Sequence, residues 1–187
     1  MYQLAMKYIV SLSLLFAASF VAAEETTTRN YKIPDHGSIQ LQVPQSWKEE
    51  LLQPTRGLPP TTVFSPKTGT SFQILLTPMF SVREGMALST PSEVKMNVER
   101  AAEQLKGQAV EKSILVKELK GPSAIGYYFS ATDRAPKPGE YKYITQGMLR
   151  VGELALTFTV LSNDGAENIV SESLLMLKGA VHAKQSP

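Results

Sequence analysis

The chain has no cysteine. Disulfide staples are therefore excluded, as is a lipid anchor carried on an N-terminal cysteine, so the fold must rest on its apolar core. Histidine is nearly as scarce, with two in 187 residues. A zinc site built from cysteine and histidine is excluded, and the usual proton shuttle of catalysis exists only at His36 and His182. An excess of charge of one sign is lacking too. Lys plus Arg number 19 against 17 Asp plus Glu, a formal net charge of +2. Such a balance gives no electrostatic footprint for nucleic acid. No long apolar run follows residue 23.

What is present is most distinctive at the start. An apolar run from Ile9 to Val21, broken only by Ser11, Ser13 and Ser19, ends in Val21-Ala22-Ala23 and gives way to Glu24-Glu25-Thr26-Thr27-Thr28. Lys7 and the chain's amine supply a positive lead, and small residues stand at the last and third-last positions before the turn to polar sequence. This is the layout of a secretory signal peptide. A membrane-spanning helix needs about 20 apolar residues, more than this run provides. The expectation is a signal over 1–23 cut after Ala23, a flexible lead over 24–29, one domain over 30–183 and a tail over 184–187. Cleavage leaves 164 of 187 residues, and the loss of Lys7 takes the net charge from +2 to +1. The expected location is the periplasm, or secretion, with no stable membrane insertion after cleavage. No twin-arginine pair precedes the run.

Along the mature chain, Tyr31-Lys32-Ile33 leads to a turn at Pro34-Asp35-His36-Gly37. Ile39, Leu41 and Val43 then alternate with Gln40 and Gln42, the period of a half-buried strand, until Pro44 stops it. Thr61–Ser65 and Phe72–Thr77 flank Pro66-Lys67-Thr68-Gly69-Thr70 and predict a hairpin. Leu52 to Pro60, with three prolines and a glycine, is a loop, with room for a short edge strand before it.

Thr90-Pro91-Ser92-Glu93 has the grammar of a helix start: a capping hydroxyl, proline at the first helical position and glutamate placed to reach back. Val94, Val98, Ala101, Ala102 and Leu105 form its apolar stripe, and Gly107 is the expected left-handed stop. Strands are expected over 113–119, 124–132, 141–151 and 154–161. Asn163-Asp164-Gly165 opens a last helix with Val170, Leu174, Leu177 and Val181 as its stripe, which places His182 in its last turn. Links of two to seven residues between strands forbid parallel crossovers. The predicted fold is α+β, a mainly antiparallel sheet covered by two helices.

The segment Ile39 to Trp47, written Ile-Gln-Leu-Gln-Val-Pro-Gln-Ser-Trp, is a strand ending in proline with tryptophan three residues on. With the order of elements over residues 30–182, it resembles the PsbP-like superfamily, which includes PsbP and periplasmic proteins resembling DcrB. The resemblance implies an α/β/α sandwich and transfers no binding residue, because no site motif matches.

Several chemistries fail on the residues. Ser92-Glu93-Val94-Lys95 and Lys67-Thr68-Gly69 match two motifs of penicillin-binding enzymes, but in the wrong order, without the serine-aspartate-asparagine element. No glycine-x-serine-x-glycine elbow or phosphate loop occurs. His36 fits a turn and His182 a helix end. Met79, Met86 and Met96 lack the density of a copper carrier and suit core or loop filling. No metal or cofactor is expected.

Two surfaces remain. Arg134 and Lys137 stand between prolines in a loop flanked by Tyr127, Tyr128, Tyr141 and Tyr143, and tyrosine and arginine favour contact sites. The connection Pro78 to Ser89 offers Met79, Phe80 and Met86. The expected function is a non-enzymatic binding or assembly-accessory domain whose partner is an envelope protein. The alternative is a small-molecule or lipid-binding domain, or an enzyme with a site of tyrosine, arginine and carboxylate. A cavity between sheet and helices separates these, since its absence would end the alternative.

Overall fold

The computed structural model describes residues 24–53, 59–80 and 89–184. The expected signal segment lies outside them. The architecture is α+β, and every strand pairing is antiparallel.

Among the described residues two sheets form, where one was expected. In the smaller, β1 (Thr26–Ile33) and β10 (Val181–Ala183) flank β2 (Gly37–Pro44). The larger has seven strands in the order β3 (Trp47–Leu52), β4 (Thr61–Pro66), β5 (Phe72–Met79), β9 (Leu154–Ser162), β8 (Tyr143–Val151), β7 (Ala124–Thr132), β6 (Lys117–Lys120). The strand period of two splits its residues between two faces. One face presents Phe64, Ile74, Leu149, Leu156 and Phe158, all essentially fully buried beneath the small sheet and α2 (Asn168–Lys178). Each such large side chain contributes about 1.5–3 kcal/mol. The opposite face presents Phe129 and Met148 to α1 (Pro91–Leu105), which buries Val98 and Ala102 against them.

The helix start is as its sequence spells it. Glu93 N–H donates to Thr90 Oγ1 at 3.2 Å while Thr90 N–H donates to Glu93 Oε2 at 2.6 Å, with Pro91 at the first helical position. The stop differs. Gly107 is not among the residues with positive φ; the helix ends at Leu105, and the N–H groups of Gln108 and Ala109 both donate to the Leu105 carbonyl.

Four other boundaries depart from expectation. Thr26 to Arg29, expected as a flexible lead, form the first half of β1 and pair with Pro44 to Leu41. Of the expected 113–119 strand only 117–119 is strand, within β6 (Lys117–Lys120), because Ile114 and Val116 pack against α1's cluster instead. Tyr141 precedes β8. Val181 and His182 leave the helix: α2 ends at Lys178, and residues 181–183 pair with β2. Val181 keeps helical spacing from Leu177, but the free edge of β2 offers the backbone partners that a further helical turn would otherwise supply.

Candidate functional site

Five of the six contact candidates lie among the described residues, and they fall at opposite ends of the large sheet. Met79 pairs with Ala155, at the start of β9, and Phe80 follows it with its ring 4.3 Å from the His36 imidazole. Met79 is exposed. Met86 lies outside the described residues. Arg134, Lys137 and Tyr141 lie beyond the Thr132–Tyr143–Ser162 row at the other end.

That second end is built by backbone bonds. Asp133 N–H donates to the Lys142 carbonyl, Arg134 N–H to Gln108 and Val110 N–H to Thr132, at 2.8 to 2.9 Å. The segment after α1 is thereby laid along the end of β7. Arg134 is committed to this work, since its Nη2 donates to the Ala109 carbonyl at 2.6 Å. Lys137 is exposed, and its N–H donates to Glu140 Oε2 at 3.0 Å. Of the three, Tyr141 borders a hollow.

This hollow has a volume of about 210 Å³. Ala131, Ile144 and Leu161 line it, and the register places them opposite one another on the α1 face of β7, β8 and β9. Leu105, Gln108 and Ala109 form the wall, and Asp133, Tyr141 and Lys142 complete it. Its interior is thus aliphatic and its border polar.

A second hollow of about 260 Å³ lies where the first turn of α2 crosses the opposite face of the same strand ends. Val170 lines it from α2, Ala166 and Glu167 from the residues just before the helix, Ser130, Thr145 and Ser162 from the strands, and Glu111 from the segment after α1. Ser130 and Thr145 hydroxyls share a hydrogen bond of 2.7 Å. The two hollows share Ala131, Thr132 and Ile144.

Charges at this end are held in defined pairs. Asp164 accepts from Tyr143 Oη at 2.6 Å and from Lys142 Nζ at 3.0 Å. The Tyr143 hydrogen bond, then that from Lys142, holds the Asp164 carboxyl below its usual range. The Lys142 ammonium is pushed up by Tyr143 first and then by Asp164, and it sits 5.0 Å from the centre of the Tyr143 ring. Glu111 accepts from Thr132 N–H at 2.9 Å and Thr132 Oγ1 at 2.8 Å. Burial raises the Glu111 carboxyl, but those hydrogen bonds outweigh it and the net shift is downward. Hydrogen bonds from the backbone of Gly165, chiefly, lower Glu167.

Glu111, Ser130, Thr145 and Ser162 were not singled out from the sequence. A signal existed. Ser130, Thr145 and Ser162 occupy the face of β7, β8 and β9 that otherwise carries Leu149, Leu156 and Phe158, so hydroxyls replace apolar groups where the alternation calls for a core residue.

The other tempting residues have structural partners. Ser92 is exposed in the first turn of α1, and Lys95 pairs with Glu99 at 3.7 Å, while Lys67-Thr68-Gly69 lies in the β4–β5 turn, with Gly69 at φ 76°. Tyr127 lies under α1, with Lys95 Nζ 6.0 Å from its ring centre. Tyr128, on the other face, packs against the main core. Among the described residues, no group of three or more His, Asp or Glu is placed to hold a metal ion. No described helix is long and apolar enough to cross a membrane.

No protein-family model matches the chain, and no curated protein is similar to it in sequence. Solved structures similar to it include cyanobacterial PsbP from Synechocystis sp. PCC 6803, at 10% identity and a TM-score of 0.49, covering 90% of this chain and 99% of that one. A structure from Bacteroides thetaiotaomicron is similar at 10% identity and a TM-score of 0.49, covering 79% of this chain. The chain spans 46% of that longer protein.

Proposed function

We propose that the chain is an exported, non-enzymatic binding domain that works in the periplasm and engages an envelope protein at the Arg134–Tyr141 end of its large sheet. The observation that carries this is the 210 Å³ hollow over Ala131, Ile144 and Leu161 beside an exposed loop bearing Lys137. An aliphatic recess of this size takes one inserted apolar side chain, the usual anchor of a protein interface, while the polar border supplies orientation. Export rests on the layout of residues 1–23. A chain beginning at Glu24 keeps the hydrogen bond from Gln45 N–H to the Glu25 carbonyl and all of β1.

A photo-crosslinking side chain at position 137 tests the reading in the living cell. It should give one discrete adduct in the envelope fraction, lost when Gln108→Trp covers the hollow, whereas the same group at Lys95 should give none. No adduct from position 137, or one indifferent to Gln108→Trp, contradicts the proposal.

The 260 Å³ hollow under α2 favours a second reading, a domain that binds a small molecule there. A ligand that binds only the native state raises the melting temperature. A metabolite panel should then shift the wild-type protein and leave Ala166→Trp, which fills the hollow, unmoved.

A further inference from the structure

A third cleft, of about 340 Å³, opens where β1 passes β3, and its lining includes Arg29, Lys48, Lys67, Thr27, Gln45 and Glu49. Three cationic residues and one carboxylate are among its lining residues, a formal charge of +2. None of the three cationic side chains has a salt-bridge or hydrogen-bond partner among the described residues, whose ion pairs involve Lys95, Lys106, Lys142 and Lys184. Glu49 accepts the hydroxyl hydrogen of Tyr31.

The fold brings these groups together and holds their backbones. Thr27 and Arg29 are two residues apart on β1 and share a face. Lys48 follows Trp47, whose indole packs on Phe64 and Phe72 at ring separations of 6.0 and 5.4 Å and fixes the start of β3. Lys67 N–H donates to the Ser46 carbonyl at 3.2 Å, which draws the β4–β5 turn against the same corner. Like charges gathered in a cleft repel, and an anion relieves that cost.

We propose that this cleft binds a phosphomonoester. The group carries close to two negative charges at neutral pH, which matches the lining. The Arg29 guanidinium offers a planar fork suited to phosphate oxygens, the two lysines add point charges, and Thr27 and Gln45 supply neutral donors. The volume exceeds that of a phosphate alone and leaves room for a body the size of glycerol or a sugar. A soluble ester and a phosphatidic acid headgroup present the same chemistry.

The test uses residues 24–187 at low salt, with glycerol 3-phosphate as soluble probe, glycerol as control, and phosphatidylcholine vesicles with and without phosphatidic acid. Glycerol 3-phosphate should perturb the amide resonances of Arg29, Lys48 and Lys67, and glycerol should not. Affinity should fall by about tenfold or more in Lys48→Gln/Lys67→Gln and again with Arg29→Gln. These side chains are exposed, so the melting temperature should stay unchanged, and Lys95→Gln should bind as wild type. Tighter binding to phosphatidic acid vesicles than to the soluble ester assigns a lipid headgroup; the reverse assigns a soluble ligand. Equal binding by wild type and the double variant, perturbation confined to residues outside the cleft, or no response to either probe at millimolar concentration overturns the proposal.

Discussion

The imidazole of His182 reaches the backbone of His36, with Nε2 at 2.8 Å from the His36 carbonyl oxygen. Glu153 N–H donates to the other ring nitrogen, Nδ1, at 3.3 Å, which assigns the proton to Nε2. One side chain therefore ties the end of the chain to the β1–β2 turn and to the β8–β9 turn. His182→Ala removes both bonds from a half-buried position and should cost about 1–3 kcal/mol by urea denaturation, since each neutral bond is worth about 0.5–1.5 kcal/mol.

Gly152 forms the wall behind that ring. Its φ is 58°, and a Cβ there would lie 2.9 Å from His182 Nδ1. Gly152→Ala meets both a left-handed backbone and a clash, and should lose about 1–3 kcal/mol. In His182→Ala the ring contacts are gone, while the Cβ of residue 182, 3.0 Å away, and the backbone term remain, so the two substitutions should combine to less than their sum in a double-mutant cycle.

The capping box of α1 makes a local prediction. Thr90→Ala leaves the first-turn N–H of Glu93 without its acceptor and should cost about 1 kcal/mol. Amide exchange should speed in the first turn of α1 and stay unchanged in α2.

Acid stability should carry the signature of Glu111. Its folded carboxyl titrates below the usual value, so its stabilisation is fully present above the unfolded value of 4.5 and is lost as pH falls through the folded one. Glu111→Gln should lower the melting temperature at pH 7 and flatten its dependence on pH below about 4.5. Parallel pH profiles for wild type and variant would show that the Thr132 hydrogen bonds do not hold the charged form.

Local signals in the sequence were enough for α1, because Thr90, Pro91 and Glu93 act within one turn. They were enough for β7 to β9, where hydrophobic alternation and short links specify a meander. They were not enough for β1 and β10. Thr26 to Arg29 carry no apolar alternation, and they are strand only because β2 lies opposite. Val181 satisfies a helical stripe, and its capture by Gln40 is a contact across the whole chain that no window contains. At the candidate site, composition singles out Tyr141, which borders a hollow, but that hollow belongs to Ala131, Ile144 and Leu161, which meet only through register. Arg134 was attractive by type, yet its guanidinium is held by the Ala109 carbonyl. A residue's chemistry is visible in the sequence, whereas the partner that commits it is a property of the fold.

Methyl resonances of Leu105, Ile144 and Leu161, followed while the protein captured from position 137 is added to residues 24–187, test the binding account most directly. These three should shift together while Met79, at the far end of β5, stays unmoved. Shifts at Met79 with Ile144 and Leu161 silent would contradict it.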